Sequence, residues 1–444
     1  MDKKGAAPVL RTCLVALCLG MLLLTNAAAQ AYAQKLSKLE IDQGRDMLRM
    51  VKAEFIKNYY DPTFHGMDAE ERFKLADEKM KKAESIGQLL GIIAQVLLDL
   101  NDSHTFFEPP LRTSRIEYGW RMKPVGADCY VSAVRPGSDA ETKGLKVGDK
   151  VLSIDGRPLD RTKVWLADYL YYTLRPLPSM TLVVQKPDRQ QRQLVTQAKV
   201  REGTKIMTDL DLRNLQLDEQ EEGRLNRHRF YEPSADVLIW KMPQFDLSEE
   251  EIDNRIGKFK NRKALILDLR GNPGGYIDTL ERFAGYFFTR DVKLADLVGR
   301  KEMKPIVAKG HKENAFKGQL IVLVDGESAS ASELFARVIQ LEKRGIVLGD
   351  RTAGAVMQSR FYPLQVGLVM VIPFGVSITE ADLIMADGKS LEHTGVTPDE
   401  LLLPTPEDMA AGRDPVLSHA IALVGIKLDP EKAGALFPIE WRRR

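Results

Sequence analysis

The hydrophobic pattern of this 444-residue chain changes along its length, and each change predicts a different kind of structure. From about residue 35 to residue 100, apolar residues recur at helical spacing, as in Met47, Val51 and Phe55, with almost no Gly or Pro. After Pro109-Pro110, short alternating runs broken by Gly and Pro continue to about residue 200. We therefore expect a helical N-terminal domain over residues 35–110 and a small β-rich domain over residues 111–200.

Apolar runs alternate with amphipathic segments in the second half of the chain. The strand-like runs are Val237 to Trp240, Ala264 to Leu269, Gln319 to Val324 and Ile346 to Leu348, and helices are predicted near Ile277 to Phe288 and Ser332 to Glu342. Such alternation predicts an α/β domain, here residues 237–444, closed by a single helix after Asp414. The charged residues 201–236 between the two domains are interpreted as a linker or hairpin.

The N-terminus has the three parts of a secretory signal peptide. Lys3 and Lys4 precede an apolar stretch from Cys13 to Leu24, which is too short for a membrane span and leads into small residues. Residues 1–33 are therefore assigned to a cleaved signal, with an uncleaved N-terminal anchor as the alternative. We expect a mature protein in the periplasm or outside the cell, without a stable membrane span. It would keep Cys129 as its one cysteine and form no internal disulfide.

Charge and histidine content exclude several function classes. The 64 basic residues nearly balance 62 acidic ones, and the longest Lys/Arg block is Arg442 to Arg444, which argues against nucleic acid as a partner. The six His residues include no His-x-His or His-Glu-x-x-His spacing, which argues against a zinc site. We expect neither a metal nor an organic cofactor.

The first candidate for chemistry is Ser330, in the run Glu327-Ser-Ala-Ser-Ala-Ser-Glu333. It lies between a predicted strand and a predicted helix, where a hydroxyl is exposed and where the helix dipole and free backbone N–H groups favour developing negative charge. The alternative is purely structural, because Ser328, Ser330 and Ser332 could simply cap the helix.

Three further segments carry candidate groups. Gly271-Asn-Pro-Gly274-Gly275 follows a buried strand, and such a loop lets backbone N–H groups approach a ligand, although it could equally be a tight turn beside a structural Asp-Arg pair. His104 is a lone histidine after Ser103, and a lone histidine is more often structural. Glu392 lies in a polar loop, where an acidic residue is normally just solvated. Taken singly, none of these segments establishes catalysis.

In this order, the segments resemble the tail-specific or C-terminal processing peptidases and their tricorn-like relatives, across roughly residues 40 to 430. The resemblance implies a ClpP/crotonase-like fold for the α/β domain within a multidomain α/β chain. It also implies that Ser330 is the nucleophile. The amides of Gly274, Gly275 and Ala331 would then form the oxyanion hole.

Residues 118–157 resemble a PDZ domain of the bacterial protease type. The resemblance rests on Tyr118-Gly119-Trp120, on the run from Val134 to Ala140, on Gly144 to Asp149 and on Ile154-Asp-Gly156. Such a domain captures a peptide by strand addition and its carboxylate by backbone N–H groups, here near Tyr118, Gly119 and Trp120. The alternative is a rigid spacer that no longer binds peptide.

One position departs from the commonest branch of that family, which pairs its serine with a lysine. Ala355 stands where that lysine would be, and an alanine cannot accept a proton. The tricorn-like branch uses a Ser-His pair and a Glu instead, and Ser103-His104 and Glu392 match them. By this resemblance His104 is the general base, while Ser103 and Glu392 orient and stabilise it.

Three functions remain open from the sequence. The first is an exported serine endopeptidase that cleaves protein or peptide substrates through an acyl-enzyme. The second is an inactive peptide- or ligand-binding protein on a peptidase fold, which the missing lysine motivates. The third, an α/β esterase, ranks lowest because no Gly-x-Ser-x-Gly elbow surrounds Ser330. Assembly as a homo-oligomer is left open.

Overall fold

The computed structural model describes residues 36–110, 115–201, 224–367 and 371–441. The predicted signal peptide therefore lies outside the described residues. Within the described ranges, no helix is both long enough and apolar enough to cross a membrane.

The N-terminal region is helical, as predicted. Its helices are α1 (Lys38–Asn58), α2 (Ala69–Met80) and α3 (Ile86–Leu98). The stripe of Met47, Val51 and Phe55 is buried and packs against the other two helices. The same core includes Val366, Phe374, Val376 and Ile378, which lie on two long strands of the C-terminal half. These helices therefore share a core with the C-terminal half rather than forming one of their own.

The β-rich domain is built mainly from a sheet with the strand order β3-β4-β5-β7-β8, in which β6 pairs with β5. Its elements are β2 (Arg115–Glu117), β3 (Trp120–Val125), β4 (Asp128–Val134), α4 (Asp139–Thr142), β5 (Lys150–Ile154), β6 (Arg157–Pro158), α5 (Val164–Asp168), β7 (Ser179–Gln185), β8 (Gln191–Gln197) and β9 (Lys199–Arg201). A π-helical turn, Tyr169–Leu174, continues α5. Alternate residues of β4 face inward, as expected for a sheet with one buried face.

The C-terminal half is an α/β domain, as predicted. Its helices are α6 (Glu249–Ile256), α7 (Ile277–Gly285), α8 (Ala331–Leu341), α9 (Pro406–Ala410), α10 (Pro415–Leu423) and α11 (Pro430–Gly434). Its strands are β10 (Arg229–Ser234), β11 (Val237–Lys241), β12 (Ala264–Asp268), β13 (Val292–Gly299), β14 (Ile306–Ala308), β15 (Gln319–Val324), β16 (Ile346–Gly349), β17 (Met357–Val366), β18 (Ile372–Ile384) and β19 (Glu400–Leu401). Together with the regions before it, this domain confirms the multidomain α/β architecture.

The main sheet has the order β10-β11-β12-β15-β16-β19, and all neighbours after β11 are parallel. Ile239, Ile266 and Ile321 face α10, while their neighbours in sequence face α7 and α8. Burial on both faces explains why these strands are continuous apolar runs. The carboxyl ends of β12, β15 and β16 lie along one edge, and the loops that follow them meet there.

A second sheet brings the N-terminal region to that edge. Its order is β1-β18-β13-β14, with β17 also paired to β18, and β1 is the short strand Phe106–Glu108 that follows His104. The long antiparallel strands β17 and β18 were not predicted from the sequence. Because β1 pairs with β18, the end of α3 is held beside the α/β domain.

Two boundary predictions change. The end of the chain forms two helices, α10 and α11, rather than the single predicted helix, because Gly425 adopts a φ of +81° after α10 and Pro430 begins α11. Of the predicted linker or hairpin, residues 202–223 lie outside the described ranges. Within the described part of this segment, β10 forms an antiparallel hairpin with β11, which follows it.

Candidate active site

Ser330 occupies the turn between β15 and α8, and it is the residue before the first turn of that helix. Its backbone has φ 54° and ψ −118°, a conformation that residues with a side chain rarely adopt. The Ser330 amide donates to Ala355 O at 2.8 Å and to Glu333 Oε2 at 3.1 Å. These two acceptors hold the strained turn in place.

The capping alternative holds for Ser330. It is the N-cap residue of α8, and its backbone amide donates to the side chain of Glu333, the third residue of the helix, as in a capping box. Ser328 Oγ donates to Leu269 O at 2.9 Å, and Ser332 Oγ donates to Asn272 O at 3.0 Å. The two outer serines therefore tie the turn to the loop after β12, and Ser330 keeps its hydroxyl for another partner.

That partner is His104, whose Nε2 lies 3.3 Å from Ser330 Oγ. Asp102 fixes the turn that carries the histidine. Its Oδ1 accepts the amides of His104 at 2.9 Å and Thr105 at 3.0 Å, and the hydroxyl of Thr379 on β18 at 2.7 Å. Asp102 is buried, so this carboxylate anchors the base segment to the second sheet.

Ser103 and Glu392 complete a hydrogen-bonded chain behind the imidazole. Ser103 Oγ lies 2.8 Å from His104 Nδ1 and donates to Glu392 Oε2 at 2.9 Å. Because Ser103 gives its only proton to the carboxylate, it must accept one from Nδ1–H. In the neutral histidine this leaves Nε2 unprotonated and facing Ser330, which is the arrangement that a general base requires.

Burial shifts the pKa values of His104 and Glu392, which lie at the two ends of this series of hydrogen bonds. Burial lowers the pKa of His104, and the nearby charge of Asp102 opposes that shift. Burial raises the pKa of Glu392, while the amides of Val356 and Ser103 that donate to it work in the other direction. Burial therefore favours the neutral form of the imidazole, which is the form that can accept a proton.

The glycine loop after β12 lies against the Ser330 turn. A Cβ on Gly274, which has φ +104°, would stand 2.6 Å from Ser330 Cβ and 3.0 Å from Ala331 N, so only glycine fits there. The Gly274 amide, however, donates to Asn272 Oδ1 at 2.9 Å. Among the described residues, the amides of Gly275 and Ala331 have no acceptor, which leaves these two of the three predicted donors available to an oxyanion.

Asn272 organises this loop, and the sequence analysis gave it no role. Its side chain donates to Met242 O at 3.0 Å and accepts the Gly274 amide, while its own carbonyl accepts Ala329 N at 3.0 Å and the Ser332 hydroxyl. Asn272 is fully buried. A buried amide inside Gly-Asn-Pro-Gly-Gly was the available signal, because such a group must find several partners.

Glu333 is the second residue that the sequence analysis left without a role. Its fully buried carboxylate accepts four donors: the amides of Ser330, Gly354 and Ala355, and the hydroxyl of Thr352. Burial raises the pKa of Glu333 to about 7 against these hydrogen bonds. Ala355, at the position of the missing lysine, thus contacts the nucleophile turn through its backbone alone.

The β-rich domain is joined to this edge by a buried ion pair. Arg161 Nη1 lies 2.8 Å from Asp350 Oδ2, and both side chains are only 8% exposed. The same guanidinium donates to Gly126 O at 2.8 Å and to Thr352 O at 3.1 Å. The loop after β16 is therefore held from both sides, by Arg161 and by Glu333.

The predicted peptide-binding residues lie where β3 begins. Tyr118 is buried, and its hydroxyl donates to Tyr171 O at 3.1 Å and accepts the Leu177 amide at 3.0 Å, so its side chain serves the domain core. Gly119 has φ +74° and packs against Ser138. Trp120 is buried too, and its Nε1–H has no acceptor among the described residues.

A serine hydroxyl, an imidazole facing it, and two backbone amides without an acceptor, one from the glycine loop and one from the start of α8, are the arrangement expected of a serine-type hydrolase. Residues 236–402 match Peptidase family S41, and residues 130–176 match the PDZ domain. Residues 236–402 are thus similar to the S41 serine peptidases and follow a segment similar to a PDZ domain, and the resemblance to the tail-specific, C-terminal processing family is confirmed.

Known relatives agree with this assignment. The chain is 26% identical over 411 residues to "Putative tricorn protease homolog 2" of Streptomyces coelicolor, covering 84% of this chain and 31% of that protein. It is 25% identical over 319 residues to "Tail-specific protease" of Haemophilus influenzae, covering 65% of this chain and 42% of that protein. The chain thus spans less than half the length of these two relatives.

Solved structures share the fold. Mature CPAF superposes with a TM-score of 0.62 at 16% identity, over 84% of this chain and 95% of that chain. The photosystem II D1 C-terminal processing protease superposes with a TM-score of 0.52 at 20% identity, over 89% of this chain and 99% of that chain.

Proposed function

We propose that this protein is a serine endopeptidase that cleaves peptide bonds in protein substrates through an acyl-enzyme on Ser330. The observation that carries the proposal is the continuous chain Ser330–His104–Ser103–Glu392, with its 3.3 Å contact between nucleophile and base. Geometry of this kind in an apo site tightens when substrate binds. We further propose that the site belongs to the tricorn-like branch, because Ala355 removes the alternative base.

In the proposed mechanism, Ser330 Oγ attacks the scissile carbonyl while His104 Nε2 takes its proton. The imidazolium is stabilised through Ser103 by Glu392 and, through space, by Asp102. The amides of Gly275 and Ala331 donate to the oxyanion, next to the N-terminus of α8. His104 then protonates the leaving amine, and water repeats the sequence to release the acyl group.

The PDZ domain is proposed to capture the substrate by adding a peptide strand to β3. This strand lies at the end of its sheet and pairs with β4 only, among the strands described. The buried Trp120 Nε1–H, which has no acceptor in the described structure, offers one donor to a bound peptide. Export to the periplasm or the outside of the cell belongs to the same proposal and rests on the N-terminal sequence.

The test is covalent labelling by a fluorophosphonate together with hydrolysis of casein. Both should require Ser330 and His104: Ser330→Ala and His104→Ala should each lower kcat/KM by about 10⁴-fold or more, with unchanged melting temperature. His419→Ala is the matched control and should keep full activity. It removes a histidine of α10 that pairs with Glu400 of β19.

The competing function is an inactive binding protein, motivated by Ala355. Tight peptide binding without any labelling of Ser330 would establish that function. Full hydrolysis by Ser330→Ala would exclude the proposed nucleophile.

A further inference from the structure

Residues 437–441 follow α11, and we call them the C-terminal strap. Arg229 of β10 contacts Phe437 and Pro438, and Trp441 reaches the PDZ domain. The ring of Trp441 lies under the guanidinium of Arg121, with Cζ 5.0 Å from the ring centroid. Arg121 is on β3, and its side chain points to the exposed face of that strand. A guanidinium over the face of an indole is attracted by the negative charge of the ring face, so this contact is favourable.

Arginines that precede β10 hold the strap in this position. Glu440 forms ion pairs with Arg224 and Arg227, and Arg227 Nη2 lies 2.6 Å from Glu440 Oε1. Arg224 Nη2 also donates to Trp441 O at 2.8 Å. The Glu440 side chain and the Trp441 carbonyl are therefore both held by arginines. These contacts position the Trp441 ring beside Arg121.

The contact lies at the proposed peptide groove. Arg121 follows Trp120, the last residue of the predicted carboxylate-binding turn. Tyr172 is 49% exposed, and its hydroxyl donates to Trp120 O at 3.4 Å, so the proposed peptide-binding strand has an exposed aromatic side chain beside it.

We propose that Arg121 determines the specificity of the PDZ groove by selecting peptides with an aromatic side chain, and that the C-terminal strap is an internal peptide occupying this position. The inference rests on the proposed function of the groove. A substrate must displace Trp441 before it binds, so its apparent affinity is reduced by the fraction of molecules in which the groove is open. Aromatic side chains in a substrate would compete best because they replace the same stacking contact.

The test measures binding rather than catalysis, in chains that carry Ser330→Ala so that the probe is not cut. The probe is a fluorescein-labelled peptide with the sequence of residues 436–441, Leu-Phe-Pro-Ile-Glu-Trp, followed by fluorescence anisotropy. Adding Trp441→Ala should tighten the Kd by about fivefold, because the internal competitor loses its stacking contact. Ile439→Ala, in the same strap and 48% exposed, should leave the Kd unchanged.

A second pair of measurements tests the specificity. In the Trp441→Ala chain, replacing the probe's Trp by Ala should weaken binding by about fivefold, and Arg121→Ala should abolish this preference. Arg121→Lys keeps the charge but not the flat guanidinium, and it should lose most of the preference while keeping the fold.

Three outcomes would overturn the inference: an unchanged Kd after Trp441→Ala, equal binding of the Trp and Ala probes, or no binding to any chain. Ser330-dependent casein hydrolysis alongside any of these would leave the proposed function standing. Conversely, Trp441-dependent binding without hydrolysis would support the inference and refute the peptidase.

Discussion

Two carboxylates, the fully buried Glu333 and the partly buried Glu392, are linked to Ser330 in different ways. Glu392 reaches it through side chains, because its carboxylate binds Ser103 and Ser103 contacts His104. Glu333 reaches it through the backbone, because it accepts the amides of Ser330, Gly354 and Ala355. Burial raises the pKa of both. The comparison separates two requirements of a nucleophile: a base that is correctly oriented, and a turn that keeps the hydroxyl within its reach.

The largest effect is expected at Glu392. Glu392→Gln should lower kcat by about 100-fold with little change in melting temperature, because an amide can point its NH₂ at Ser103 and reverse the hydrogen bonds that set the His104 tautomer. The measurement is kcat and KM on a peptide substrate, beside a thermal melt. Glu407→Gln, at an exposed position on α9, is the matched control and should leave kcat unchanged. An unchanged kcat would remove Glu392 from the mechanism.

At Glu333 the effect should fall on stability as well as on rate. Glu333→Gln leaves backbone N–H groups facing an NH₂, so we expect a loss of about 2 kcal/mol of stability and roughly tenfold in kcat/KM. A lower melting temperature and slower fluorophosphonate labelling would show this. Glu342→Gln, at the exposed end of α8, should change neither. A stable, slow variant would mean that Glu333 acts on the chemistry instead.

The smallest effect is a shift of the pH profile. His104 must be neutral to accept a proton, and burial lowers its pKa from the usual 6.5. Activity should therefore be retained as the pH falls through 6.5 and be lost only below it. Measuring kcat/KM from about pH 4 to pH 9 tests this. An acid limb with its midpoint above 7 would contradict a buried neutral base.

The groups with intrinsic chemistry could be predicted from the sequence. Ser330, His104 and Glu392 stand in recognisable segments, and the structure brings their side chains together. The residues that hold them could not be found this way. Asn272, Asp102 and Glu333 act through backbone amides, and which amides a side chain meets depends on three loops that converge only in the folded sheet.

The long strands β17 and β18 were also missed. Their residues face a helical core at one end and solvent at the other, so burial along β17 does not alternate regularly. A period of two is therefore incomplete in the sequence. By contrast, β12 and β15 are buried on both faces and appeared as uninterrupted apolar runs.

The wide spacing of the catalytic groups has a consequence for how the protein is made. His104 and Ser330 are 226 residues apart, and Ser103 and Glu392 are 289 apart. During synthesis, His104 leaves the ribosome long before Ser330, and Glu392 leaves it later still. A chain under synthesis, or one clipped anywhere between residues 104 and 392 and separated into its fragments, lacks a complete site. Under the proposed mechanism, proteolytic activity is therefore restricted to chains that have finished folding.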